Sequence, residues 1–262
     1  MIISHKFKYL FIGLPFSASS AITKDLHEKY EGIALLKKHS LYHDFIKNAS
    51  NEEMKYKVFA VLRNPLEMVV TIYEKMKSNA NENYTNSELF EENGGHITKK
   101  QREKFNYINN HNASFEEYFE KFYYFPYDNY ASLTMQYCDY IINYRNIEND
   151  YIKVLSKIGI KNPKKLSLAN KTKTKKKNIN EYFTEEIQQK ALFIFGPFMK
   201  KFDFEIPKEW KYNKVPFSAF FLFRIISTIK KYKIKFFIKK NNRKSIKGTI
   251  YGNIQRSKKN IN

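Results

Sequence analysis

The segment Gly13-Leu14-Pro15-Phe16-Ser17-Ala18-Ser19-Ser20 has the composition of an anion cradle. Small residues let the backbone approach a ligand closely, hydroxyls and N–H groups donate hydrogen bonds, and a following helix adds the positive end of its dipole. It is not a Walker A loop, which needs two glycines at a fixed spacing and then Lys-Ser/Thr. The same serines also read as an ordinary helix cap, and this segment alone leaves the two readings level. A second segment, Arg63-Asn64-Pro65, closes an apolar run and puts a guanidinium at a strand end, where open α/β sheets bind ligands. Thr71, eight residues on and about two helical turns into the next element, offers a hydroxyl. An Arg fork with a hydroxyl suits a phosphate dianion, although a single Arg in that place reads better as structural.

Taken together, the two segments resemble the nucleotide-binding elements of the sulfotransferases that use 3′-phosphoadenosine 5′-phosphosulfate (PAPS). In that family a loop of the form Pro-Lys-(Ser/Thr)-(Gly/Ala)-(Ser/Thr)-(Ser/Thr) holds the 5′-phosphosulfate, and here it reads Pro15-Phe16-Ser17-Ala18-Ser19-Ser20. The family's 3′-phosphate element is Arg-Asn-Pro with Ser eight residues after the Arg and Tyr two beyond it. It reads here as Arg63-Asn64-Pro65, Thr71 and Tyr73. Lys38-His39-Ser40-Leu41-Tyr42 stands where the carbohydrate sulfotransferases carry a catalytic-base histidine. Asn143 to Gly159 is similar to the family's late strand and helix. Asn170-Lys171-Thr172 with Tyr182-Phe183-Thr184 is similar to its C-terminal closing segment, so the match runs in order from Tyr9 to Phe204.

The resemblance implies PAPS as co-substrate, no metal, and a hydroxyl of a saccharide, polysaccharide or glycolipid as acceptor. It implies His39 as base, Lys38 beside it in catalysis, and a nucleotide site on Pro15, Phe16, Ser17, Ala18, Ser19, Ser20, Arg63, Thr71, Lys171 and Thr172. A histidine suits that role because its ordinary pKa lets it accept a proton near neutrality. Phe16 departs from the pattern: it replaces the lysine that contacts the bridging oxygen, and Lys37, Lys38 or a lysine between 170 and 177 is a candidate substitute. A catalytically impaired binding protein of the same fold is therefore the alternative. A nucleotide kinase is disfavoured by the missing Walker lysine.

Hydrophobic patterning supplies the elements that must position these residues. Tyr9 to Gly13, Lys57 to Leu62 and Tyr140 to Tyr144 read as strands, with a further short one over Ile33 to Leu36. Helices are predicted from the serine-rich loop to Tyr30, from the segment Lys37-Lys38-His39-Ser40 onward through about Asn48, and after Pro65. Others are predicted after a capping box at Ser114, over Ile147 to Ile158, and from Thr184 to about Phe202. Asn79 to Asn112, rich in Asn and Glu, reads as a long loop. This alternation predicts an α/β fold with a mainly parallel sheet. With what the resemblance implies, the expected fold is three layers around that central sheet with a P-loop-like phosphate-binding loop, plus a basic C-terminal helical tail. The expected division is a sulfotransferase-like domain over 1–210 and an extension over 211–262.

The chain has 262 residues, 42% hydrophobic and 17% aromatic, too many core-forming side chains for a disordered protein. Its formal charge of +21 predicts anionic partners, but the charge is uneven. The last acidic residue is Glu209, and fifteen Lys/Arg follow without one Asp or Glu, leaving +6 for the body. Phe217 to Ile238 reads as an aromatic and aliphatic helix backed by lysines. That pattern suits an anionic membrane surface and equally a helix packed on the core with a solvated end. Nucleic acid is a third choice, since no recognition motif accompanies the lysines. One cysteine, Cys138, excludes an intrachain disulfide framework and reads as a small buried hydrophobe. With no apolar leader and no apolar run of spanning length, the expected location is cytoplasmic, with the tail on the inner membrane face.

Overall fold

The computed structural model describes residues 1–166, 178–236 and 249–257. In chain order the elements are β1 (Ile2–Ser4), β2 (Tyr9–Ile12), α1 (Ser19–Lys29), β3 (Ile33–Ala34), α2 (Tyr42–Ile46), β4 (Lys57–Leu62), α3 (Pro65–Lys77) and α4 (Lys99–Asn110). There follow α5 (Phe115–Phe122), α6 (Ala131–Thr134), β5 (Tyr140–Asn143), α7 (Ile147–Lys157), α8 (Ile179–Tyr182), α9 (Glu185–Lys201), α10 (Phe217–Phe236) and α11 (Ile250–Ser257). They fall into two compact units: unit 1 holds residues 1–63, 129–166, 234–236 and 249–257, and unit 2 holds 64–128 and 178–233.

Unit 1 carries the five-stranded sheet, in the order β3-β1-β2-β4-β5. The α/β class matches the sequence pattern, but the sheet is mixed and not mainly parallel. β2, β4 and β5 run parallel, while β1 pairs antiparallel with both β2 and β3. The physical reason is the hairpin at the start of the chain. The Ser4 hydroxyl accepts from the Phe7 N–H, Lys8 takes a left-handed φ of 50°, and Ile2 is set opposite Phe11. A three-residue strand is too short to show alternation, so β1 left no periodic signal.

On one sheet face Tyr9, Phe11, Phe59, Val61 and Ile142 pack with Ile22 and Leu26 of α1 and with Tyr151, Val154 and Leu155 of α7. Leu10, Ile12, Val58 and Ala60 on the opposite face are buried as well. α7 ends at Gly159, whose φ of 89° a side chain would strain. Between α1 and α7 the Tyr151 hydroxyl donates to Asp25 at 2.9 Å, and Lys29 pairs with the same carboxylate one turn along α1. Burial and the Asp25 charge raise the Tyr151 pKa, so the phenol stays the donor. From the C-terminal segment, α11 adds Tyr251 to this core.

Unit 2 is helical, built on an aromatic core in which Tyr73 of α3 meets Phe115 and Tyr118 of α5, and Phe183 meets Phe195 of α9 and Trp210. α5 opens on the predicted box, Ser114 and Glu117 exchanging side-chain to backbone bonds. The stretch 79–112 is not a continuous loop: its second part is α4, capped by the same exchange between Thr98 and Gln101. Only Ile108 of α4 is buried, so the helix has almost no apolar stripe to announce it. α9 forms as predicted, though the Thr184 hydroxyl bonds Glu116 and caps nothing. Cys138, in unit 1, is half-buried, its thiol directed at the Thr134 carbonyl.

Tyr151→Phe removes a hydrogen bond to a buried carboxylate and should cost about 1.5–3 kcal/mol. The midpoint of urea unfolding reads this directly; an unchanged midpoint would mean that the Asp25–Tyr151 tie does not hold α7 on α1.

Candidate functional site

Parallel pairing of β2 with β4 and of β4 with β5 brings the carboxyl ends of three strands side by side. The chain leaves β2 at Gly13 and turns through Leu14 to Ala18, with Phe16 at φ 59° and Ala18 at φ 55°. Two non-glycine residues in the left-handed region cost roughly 1–3 kcal/mol each, and such strain gathers at ligand sites.

The serines do not cap α1. Its N-cap is Ala18, without a side-chain bond, and the Ser17 hydroxyl turns back to donate to the Leu14 carbonyl at 2.7 Å. Ser17 and Ser19 are buried, Pro15, Ala18 and Ser20 are half-buried, and Phe16 alone in the loop is exposed, at 39%. Ser17 therefore fixes the loop, while Ser20 accepts from the Lys38 ammonium at 3.0 Å.

Lys38 and His39 sit in a turn between β3 and α2, closed by the Ser40 hydroxyl on the Lys37 N–H and by the Ser40 N–H on the Lys37 carbonyl. The helix expected after this turn is α2, which begins at Tyr42 with Asp44 accepting from the Leu41 N–H and ends at Ile46, short of Asn48. His39 Nδ1 lies 2.6 Å from the Gly13 carbonyl. A carbonyl only accepts, so Nδ1 holds the proton and Nε2 keeps the lone pair of a potential base. Burial of the ring's inner edge pushes the His39 pKa down to about 4; the Gly13 bond opposes this and Lys38 adds to it. The residue as a whole remains open to water, and its imidazole is neutral at pH 7. Gly13 allows a close approach here: a side-chain carbon would stand 3.0 Å from the Ser19 Cβ and 3.4 Å from the Lys38 carbonyl, a tight fit.

Arg63 follows β4 and is 8% exposed. Its Nη1 donates to the Phe16 carbonyl at 3.1 Å, and its guanidinium lies 4.1 Å from the centre of the Tyr144 ring, just past β5. One cation thus ties together the three strand ends, with a stacking contribution of roughly 0.5–2 kcal/mol. The loop of 13–20, Lys38, His39 and Arg63 are the expected site residues that unit 1 brings together. Tyr144 joins them, and the sequence held no motif to mark it. A buttress was missed as well: the Tyr251 hydroxyl of α11 reaches the Leu35 and Leu36 carbonyls at 2.7 and 3.0 Å, and Gln255 donates to Leu36, shortly before Lys38.

Thr71 belongs to unit 2, on α3, whose first turn is capped by Asn64 accepting from the Leu66 N–H ahead of Pro65. Its hydroxyl donates to the Glu67 carbonyl at 2.8 Å. Lys171 and Thr172 lie outside the described residues.

Compared with known proteins, the chain matches no family model, no curated protein and no solved structure.

A histidine held neutral in the fold disfavours protonation relative to the unfolded chain, whose histidine has its ordinary value of 6.5. Its contribution to stability is whole above pH 6.5 and falls as the pH drops from there toward about 4, because the unfolded chain takes up the proton first. Urea unfolding at pH 7 and pH 5 should show a smaller loss in His39→Gln than in the wild type. An equal loss would place the proton uptake on other groups.

Proposed function

We propose that the protein transfers the sulfuryl group of PAPS to a hydroxyl of a saccharide, polysaccharide or glycolipid. The observation that carries this reading is the meeting of the 13–20 loop, Lys38, His39 and Arg63 at the carboxyl ends of β2 and β4, where open α/β sheets bind ligands. In this reading the loop is a P-loop-like cradle for the 5′-phosphosulfate within a three-layer fold, a layering that the burial of both sheet faces supports. Arg63 brings a fixed positive charge to the same edge.

The reaction is an in-line displacement. His39 Nε2 takes the proton of the acceptor hydroxyl, and the acceptor oxygen forms its bond to sulfur. The bond from sulfur to the bridging oxygen breaks, and its electron pair leaves with 3′,5′-ADP. Positioning and charge neutralisation supply most of the rate, as in phosphoryl transfer. Phe16 cannot neutralise that leaving oxygen, and Lys38 takes over the task from the next turn of chain, its ammonium already at the mouth of α1 on Ser20. A second reading, a binding protein that holds the nucleotide without transfer, is favoured by the exposed Phe16.

Calorimetric titration should show binding of 3′,5′-ADP and not of ATP or 5′-AMP, about tenfold or more weaker in Arg63→Ala with the fold intact by circular dichroism. With PAPS and an acceptor panel, Lys38→Ala should lose turnover while retaining 3′,5′-ADP. Binding without turnover in the wild type would select the second reading, and no binding by folded protein would end both.

A further inference from the structure

α10 is anchored on one side only. Ala219 and Phe223 are buried, and near the far end the Ser227 hydroxyl and the Lys230 ammonium bond Asp128 of the same unit. At ~100° per residue Phe217, Phe221, Ile225, Ile229 and Tyr232 fall on the opposite side, within an arc of about 120°. Along this arc Phe217 is 85% exposed, Phe221 62%, Ile229 60%, Tyr232 56% and Ile225 38%, while off it Phe220 is 37% exposed. Inside this arc the polar residues are small, Ser218 and Thr228, and by position Lys235 falls at its edge in line with Phe217. Its edges are cationic, with Arg224 and Lys231 along one and Lys233 along the other, all exposed.

We propose that this face of α10 lies in the surface of an anionic lipid bilayer, parallel to its plane. An exposed aromatic stripe edged by cations is the pattern of an interfacial helix, where rings enter the acyl boundary and Lys and Arg reach up to the headgroups. Charge complementarity selects the lipid: from Lys211 onward the chain has fifteen Lys/Arg and no acid. The helix does not span, because among the described residues no helix is long and apolar enough to cross a membrane. The packed Ala219 and Phe223 hold the stripe outward before any lipid is met, so the face is preformed. This inference is independent of the nucleotide site, and its test needs no nucleotide.

The full chain is floated with vesicles of phosphatidylcholine alone and of phosphatidylcholine with an equal part of phosphatidylglycerol. Binding is expected to the anionic vesicles, with a strong preference over the neutral ones. Phe221→Glu with Ile225→Glu should weaken it by about tenfold or more, whereas Asn48→Glu with Asn51→Glu, the same change of charge elsewhere on the surface, should bind as the wild type does. Phe221→Trp keeps the face apolar and should add an indole signal that blue-shifts on the vesicles and is quenched by brominated lipid. Equal losses in the two charge pairs, or an indole that brominated lipid leaves unquenched, would reduce the attraction to bulk charge and overturn the proposal. So would equal binding to neutral vesicles. Self-association abolished by the α10 pair, without vesicle binding, would give the face to a second copy of the chain.

Discussion

Parallel backbone pairing fixes β2, β4 and β5 in one direction, and everything at the candidate site follows from their ends being neighbours. Each strand delivers one part: β2 the strained loop, β4 the Arg63 guanidinium, β5 the Tyr144 ring. Arg63 is the clasp between them, donating to Phe16 and stacked on Tyr144. A buried guanidinium is tolerated here with Nη1 on the Phe16 carbonyl and its face on the Tyr144 ring.

The loop and the Lys38-His39 turn depend on each other. His39 takes the Gly13 carbonyl, Lys38 takes Ser20, and Gly13 has no side chain to hold the two segments apart. The carbonyl contact decides the histidine tautomer, and with it which nitrogen keeps a lone pair. Helix α11 steadies the approach to this turn through Tyr251 and Gln255, far away in sequence.

Unit 2 solves a different problem. It buries a dense set of aromatic rings, and yet it leaves α10 with a second set facing water. Apolar side chains scattered over a surface are ordinary, whereas a stripe along one helix edged by cations is not.

The amino-acid sequence by itself determined the elements whose signal is local. β4 over 57–62, the Ser114 box of α5 and the stop of α7 at Gly159 all rest on neighbours within a few residues. So does the composition of the 13–20 loop. Tertiary structure alone decided much of the rest, because the responsible contacts join residues far apart in the chain. β3 pairs antiparallel with β1 across the whole of β2 and α1. Local features also escape the pattern: β1 is a three-residue strand in a tight hairpin, α4 lacks an apolar stripe, and the Ser17 hydroxyl takes the Leu14 carbonyl three residues back. Which nitrogen of His39 carries the proton depends on Gly13, twenty-six residues earlier. Which side of α10 faces solvent depends on Asp128, about a hundred residues from its partners Ser227 and Lys230. Periodicity reveals that a helix has an apolar side; only the packing of the folded chain determines which side it covers.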